Sequence, residues 1–357
     1  TLQDATRFGY GGVAYWSGTT TLTRQICLEG AELHRSLSEE LESSTEFREI
    51  DLVLPIALDA DPVAVAGSYE NFAMPPRLVS VETAQELEPL LNPDAIAGAL
   101  TVKHGHINPQ ATAQAYINAF QRLGGTVKTG ESVTLKRDAE ARVAGVDWGS
   151  ETLVSANVAV CAGALSRSLL KAAGIPVRLY FTHAELIETP PVEVTLRSLV
   201  MPAVTQRFAL EAEASRAEID ALWDEPGHQP TPLILDAGAV QFLDGRLRVG
   251  QISRTLTDPQ ATIDAADSEA ALRTEVGKIL PSLQDLPGTW HRCLVGFSHD
   301  RLPLIGPISA AANVHVFSGF SNPLAIVPPL ARRYAAHLAG QPDKLLEQLS
   351  PERSTKE

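Results

Sequence analysis

Val158-Ala159-Val160-Cys161-Ala162-Gly163-Ala164 is the stretch on which the reading of the fold turns. It is an apolar, partly β-branched run that ends in a small-residue turn, and the turn opens into a helical segment from Leu165 to Ala173. A buried strand ending in Ala-Gly-Ala lets the backbone come close to a flat or phosphorylated ligand, because no bulky side chain intervenes. Upstream, Asn108 caps a helix whose first position is Pro109 and which runs to about Leu123, where Gly124-Gly125 stops it. Short strands are expected near Val127, Val133, Val143 and Leu153, between that helix and the Val158 run.

Working outward, apolar residues at Ile26, Leu33, Leu37 and Leu41 give an amphipathic helix over Leu22 to Leu41. Strands are expected at Ile50 to Leu58, Arg77 to Val81 and Ala95 to Val102, and helices at Pro62 to Phe72 and from Glu82-Thr83. Beyond Ile175-Pro176 the texture becomes α+β. It has strand-like segments at Leu179 to Ile187, Leu233 to Leu235 and Leu247 to Val249, and a helix over about Ser268 to Leu280. Asp300 to Pro307 reads as a loop, Val314 to Phe317 as a strand, and Pro328 to Ala339 as the closing helix before a frayed tail. Alternating strands and helices in separated stretches, around a different middle, imply a discontinuous nucleotide-type domain with a second domain inserted. The expected division is 1–48, 104–177 and 288–345 for the first, 49–103 and 178–287 for the second, and 346–357 for the tail.

The 357 residues carry a net charge of -14, which argues against nucleic acid, since phosphate binding needs clustered Lys and Arg. No apolar run approaches the ~20 residues of a membrane helix. Thr1-Leu2-Gln3-Asp4 has no signal-peptide pattern. Cys27, Cys161 and Cys293 are an odd number without a CxxC pair, so a reducing compartment, the cytoplasm, is expected.

These segments together resemble the D-amino-acid oxidase superfamily of FAD enzymes, which includes glycine oxidase, sarcosine oxidase and D-amino-acid dehydrogenases. The matching parts are Asn108 to Leu165, the Asp300 to Pro307 loop, Ser318-Gly319-Phe320-Ser321 before the last helix, and Ala5-Thr6-Arg7 through Gly11-Gly12. The implied fold is α/β plus α+β: a discontinuous Rossmann-like FAD-binding domain and an inserted substrate domain on an antiparallel-type sheet. The implied activity is FAD-dependent oxidation of a small amine or amino acid by hydride transfer to flavin N5, followed by imine hydrolysis. The resemblance places Thr6, Arg7, Gly11 and Gly12 in the small-residue loop near the flavin and the Val133 backbone at adenine. It sets Ala162 and Gly163 along the diphosphate and ribitol, and Gly319, Phe320, Ser321 and Asn322 against the isoalloxazine.

The family's first strand, Gly-x-Gly-x-x-Gly turn and helix are not found. Gly9-Tyr10-Gly11-Gly12-Val13-Ala14 matches Gly-x-Gly-x-x-Ala by letter, but too few residues precede it for a buried strand and Tyr15-Trp16-Ser17-Gly18 opens no helix. A leader ahead of Thr1 or a partner chain is therefore expected to supply the helix N-terminus that holds the pyrophosphate. The competing reading is a truncated or flavin-less homologue acting as a structural or accessory subunit.

Each remaining candidate has two readings. Cys293 lies where sarcosine-oxidase-like members attach their flavin covalently, and equally suits core packing. The position that holds a carboxylate-binding arginine in glycine-oxidase-like members reads as Val295. That leaves Arg248 as the carboxylate partner, or as a plain surface cation. His299, beside Asp300, is a candidate proton acceptor on the substrate side, or ordinary loop polarity. His104 and His106 could share a metal, but lack a third ligand at suitable spacing and otherwise read as exposed loop histidines. Tyr15-Trp16 is expected to pack near the flavin or the domain interface. The stretch Gly319 to Pro329 lacks the basic residue that sarcosine oxidases carry there.

Overall fold

In the computed structural model, which describes residues 3–130, 133–139 and 142–353, a ten-stranded mixed sheet is the largest sheet among the described residues. Its order runs Gln3–Asp4, Thr289–Ser298, Leu179–Glu188, Leu247–Arg254, Ile234–Gln241, Leu199–Val200, Arg48–Ala57, Ile96–His106 and Gly12–Val13, with Arg77–Val79 also on Ile96–His106. Only Gln3–Asp4 with Thr289–Ser298 and Leu199–Val200 with Arg48–Ala57 pair in parallel within it. A second sheet orders Leu304–Ile308, Ala311–Ser318 and Val158–Val160, the last two parallel. The third, Val133–Arg137, Val143–Trp148 and Glu151–Val154, is an antiparallel meander.

The expected α/β part and the expected antiparallel-type sheet are both present. Thr289–Ser298, expected on the FAD side of the division, is the neighbour of Leu179–Glu188 in the large sheet. Leu304–Ile308 is a strand where a loop is expected. Its Gly306 and Pro307 hide the pattern, and an edge strand tolerates proline because one side of its backbone needs no partner. No element forms at Val127, and two helical segments not foreseen, Arg207–Ala214 and Ala217–Asp224, precede Ile234–Gln241. The tail is not frayed from 346. Leu346 and Leu349 are buried and Arg353 pairs with Asp300 at 2.7 Å, while 354–357 lie outside the described residues.

Two long helices brace the site. Thr21–Glu40 opens with a reciprocal capping box in which Thr20 Oγ1 accepts from the Thr23 amide and the Thr23 hydroxyl accepts from the Thr20 amide. The last long helix is Pro323–Leu338 rather than Pro328 onward, with the short helix Lys344–Glu347 after it: Pro323 is the starting proline, and Pro328 and Pro329 sit inside. Proline nitrogens carry no hydrogen, so the carbonyls four residues earlier, Leu324 and Ala325, lose their helical donors. His34 Nε2 donates to Leu324 O at 2.6 Å, and Gly30 lies against Ala325 O, where a Cβ would come within 1.9 Å. Gly30→Ala is therefore expected to cost about 2 kcal/mol or more, because backbone meets backbone and one helix must shift. A urea midpoint unchanged from wild type contradicts this packing.

Candidate active site

The bends on which the sequence reading rests meet. Gly163 turns at φ +54°, and its carbonyl accepts from Ser318 Oγ at 3.1 Å, while Ser166 Oγ donates to Ser318 Oγ at 3.0 Å. Gly296 lets the strand Thr289–Ser298 run past this bend, since a Cβ there would lie 3.0 Å from Ala164 N. Gly319 turns at φ +82°, and Ser321 Oγ donates to Arg301 O at 3.1 Å. Asn322 Nδ2 donates to Ala14 O at 3.1 Å and to Ser17 Oγ at 3.2 Å, which ties the last bend to the loop that follows Gly11-Gly12. Phe320 packs on Phe317, with ring centroids 4.8 Å apart. Four segments far apart in sequence thus surround one region.

The fit to FAD rests on this backbone. Gly163 has no atom within 4 Å of the place a Cβ would occupy, and Cys161, Ala162 and Gly163 are exposed, so the bend faces open space along a surface without bulk. Among the described residues the outer edge of Val158–Val160 carries no strand. Beside the Gly124–Gly125 stop, the helix Pro109–Arg122 exposes Tyr116, Ile117 and Phe120.

Thr6 is exposed on the short helix Ala5–Phe8, and the Arg7 guanidinium stands 5.1 Å over the Phe8 ring. Val133 stands exposed on the separate meander. Cys293 packs in a buried cluster with Phe8, Ala184 and Leu186. Flavin bound by this protein is therefore expected to stay in the supernatant after acid precipitation. Colour retained in the pellet would show a bond that the burial of Cys293 argues against. His299 lines a separate cleft of about 600 Å³ with Arg178, Asp220 and Arg353, and both its ring nitrogens are buried without hydrogen-bond partners. Burial holds its imidazole below the usual range.

Arg248 is neither a surface cation nor a free one. It is 1% exposed, donates through Nε to Glu188 at 3.0 Å and through another guanidinium nitrogen to Gly9 O, and lies 4.6 Å over the Phe242 ring. A strand reading Leu-Arg-Val does not announce a buried partner sixty residues upstream. His104 and His106 are not exposed loop residues either. The strand runs on through His106, and both side chains are buried under Gly11-Gly12. No metal-type cluster forms among the described residues. Trp16 Nε1 donates to His104 Nδ1 at 2.9 Å, which ties Trp16 to the strand Ile96–His106 and fixes the proton of a neutral His104 on Nε2.

Burial pushes His104 down to about 4, and burial with the Arg48 charge pushes His106 down to about 3. Below an ordinary imidazole pKa of ~6.5 the unfolded chain takes up protons that the folded one refuses. Stability is therefore expected to fall as pH drops from about 6.5 towards 4, by up to ~1.4 kcal/mol per pH unit for each histidine. Equal urea midpoints at pH 7 and pH 5 contradict this.

A small cavity of about 90 Å³ is walled by Tyr10, Met201, Arg207, Phe208, Asp236 and Gln251. Tyr10 enters from the loop that carries Gly11-Gly12. Its hydroxyl is buried without a hydrogen-bond partner, lies where a Gly250 side chain would sit, and is held above its usual pKa by burial. Asp236 accepts from the backbone amides of Gln206 and Arg207 at 3.0 and 3.3 Å, and burial raises its carboxyl above the usual range. Phe208 is stacked under the Arg301 guanidinium at 4.0 Å, and Arg301 O is the atom held by Ser321. The cavity is thus linked to the Gly11-Gly12 loop through Tyr10 and to the last bend through Arg301. Sequence reading missed Tyr10 and Asp236. An aromatic residue between glycines at Gly9-Tyr10-Gly11 is the one local signal, and nothing local marks Asp236.

The profile of the FAD dependent oxidoreductase family matches residues 3–337, and the chain belongs to that family. Comparison with the curated proteins by sequence finds no match. Among solved structures, glycine oxidase from Geobacillus kaustophilus is similar at a TM-score of 0.78 and 17% identity, over 99% of this chain and 90% of that one. Iminodiacetate oxidase from Chelativorans sp. BNC1 is similar at 0.73 and 16%, over 98% and 90%. L-proline dehydrogenase from P. horikoshii is similar at 0.69 and 18%, over 98% and 85%. At these identities the likeness is one of fold. Among the described residues no helix is long and apolar enough to cross a membrane.

Proposed function

We propose that this protein oxidises a small amine or amino acid, and that the imine product is hydrolysed afterwards. The observation that carries the reading is the meeting of the Gly163 and Gly319 bends through Ser318, together with a cavity lined by Tyr10 and Asp236. FAD, when bound, supplies a hydride acceptor at flavin N5. The chain's own residues bind and orient. Ala162 and Gly163 would line the diphosphate and ribitol, and the loop Gly319 to Asn322 would lie against the isoalloxazine. The N-terminal end of Pro323–Leu338 would favour negative charge at the ring's carbonyl edge. The cytoplasm is the compartment that suits three cysteines that form no disulfide among the described residues.

The test is spectroscopic. FAD-loaded protein mixed without oxygen with small primary and secondary amines and amino acids is expected to lose its flavin absorbance with at least one of them. Retention of full absorbance with every compound contradicts the reading. Oxygen uptake against dye reduction with the active compound then tells an oxidase from a dehydrogenase.

A further inference from the structure

We infer that Asp236 is the group that receives the substrate's nitrogen, as an ammonium, with the Tyr10 hydroxyl as its second partner. The inference rests on the reading of the cavity as the substrate site and names what that site selects: a cationic nitrogen on a small molecule.

Asp236 is 5% exposed, yet among the described residues no Lys, Arg or His lies within ion-pair distance of it. Its two oxygens each accept one backbone amide, Gln206 at one and Arg207 at the other. A carboxylate oxygen can accept more than one hydrogen bond, so acceptor capacity remains on both. One cation, Arg207, lines the same cavity and its charge acts on Asp236, but its Nε donates to the buried Glu211 at 2.6 Å and it makes no ion pair with Asp236. A buried carboxylate without an ion pair is costly unless something completes it. The space beside it holds what is missing, because Asp236 and Tyr10 are walls of the same cavity.

Tyr10 supplies the second, independent observation. Its hydroxyl oxygen is buried and has no hydrogen-bond partner, a state that natural proteins reserve for groups completed by water or ligand. Gly250 makes room for that oxygen, since a Cβ there would stand 2.9 Å from it. Of the remaining wall, Met201 and Phe208 suit a short carbon skeleton, while Thr205, Arg207 and Gln251 are polar. An ammonium in this place donates one N–H to an Asp236 oxygen and another to the Tyr10 oxygen. Tyr10 belongs to the loop that carries Gly11 and Gly12, so the same contact would set the nitrogen, and the carbon bearing it, relative to the flavin-side loop.

Calorimetry on FAD-loaded protein tests this with isosteric pairs: glycine against glycolate, and each enantiomer of alanine against the matching lactate. A charge-assisted hydrogen bond of ~1.5–3 kcal/mol predicts that wild type binds the amine of at least one pair about tenfold or more tightly than its hydroxy acid. Asp236→Asn should bring that preference to within about twofold, and Tyr10→Phe should reduce it about three- to tenfold, as the neutral bond it removes is the weaker. Wild type that binds hydroxy acids as well as amines overturns the inference without recourse to any variant, and so does Asp236→Asn protein that keeps the wild-type preference. Failure of the wider reading looks different. Amines would then bind with the stated preference yet leave the flavin absorbance intact, and the role of Asp236 would survive. An amine that bleaches wild type while Asp236→Asn keeps its preference sinks only Asp236.

Discussion

Arg248→Met is expected to lower the unfolding free energy by about 3–5 kcal/mol, because it strands a carboxylate in the interior. Glu188 accepts from two Arg248 guanidinium nitrogens, at 3.0 and 2.9 Å, and its other cation, Arg246, stands farther off at 3.4 Å. The same substitution takes the donor from Gly9 O and the cation from the Phe242 face. Methionine refills much of the volume, so the loss reports the charge rather than a void. Removing both charges, in Glu188→Gln with Arg248→Met, should recover part of it, since an interior pair is costly chiefly when broken from one side. Urea unfolding of both variants measures this. A single-variant loss below ~1 kcal/mol would mean that the pair is as weak as one on the surface. Because Gly9 begins the flavin-side loop, Arg248→Met should also weaken FAD binding, a role in positioning that differs from holding a substrate carboxylate.

Gly11→Ala is expected to dislodge the flavin-side loop at a cost of about 3 kcal/mol or more, and to weaken FAD binding by at least tenfold. Two constraints coincide there. The backbone turns at φ +77°, which disfavours any residue with a Cβ, and that Cβ would lie 2.2 Å from Ile107 O, a backbone atom. The carbonyl cannot retreat freely, because Gly11 O accepts from the Ile107 amide at 2.9 Å and fastens the two segments together. Gly12→Ala meets the far end of a side chain instead, His104 Nε2 at 2.6 Å, and should be milder. Flavin fluorescence titration and thermal unfolding separate the two. Gly11→Ala protein with wild-type FAD affinity would detach this loop from the cofactor site.

What could be read from the sequence was local. Asn108 caps the helix at Pro109 as expected, its side-chain oxygen accepting from the Ala111 amide at 3.1 Å, because cap, proline and first turn are contiguous. The Ala162-Gly163 bend was legible for the same reason, since strand, small residues and helix follow without a gap. What misled is long-range. His-Gly-His ahead of a cap looks like polar loop, and only Arg48–Ala57 and the Gly11 loop bury it. Two adjacent prolines look like a helix start, and only His34 and Gly30, some 290 residues upstream, show how their freed carbonyls are accommodated. Asp236 and Tyr10 share a cavity across more than two hundred residues, a distance that no window of sequence spans.

The most direct measurement is the visible spectrum of the FAD-loaded protein, recorded without oxygen before and after a small amine is added. Loss of the flavin band with at least one such amine, and its return on addition of an electron acceptor, is the predicted result. A flavin band that no amine diminishes would contradict the account of these bends and their cavity as a site of amine oxidation.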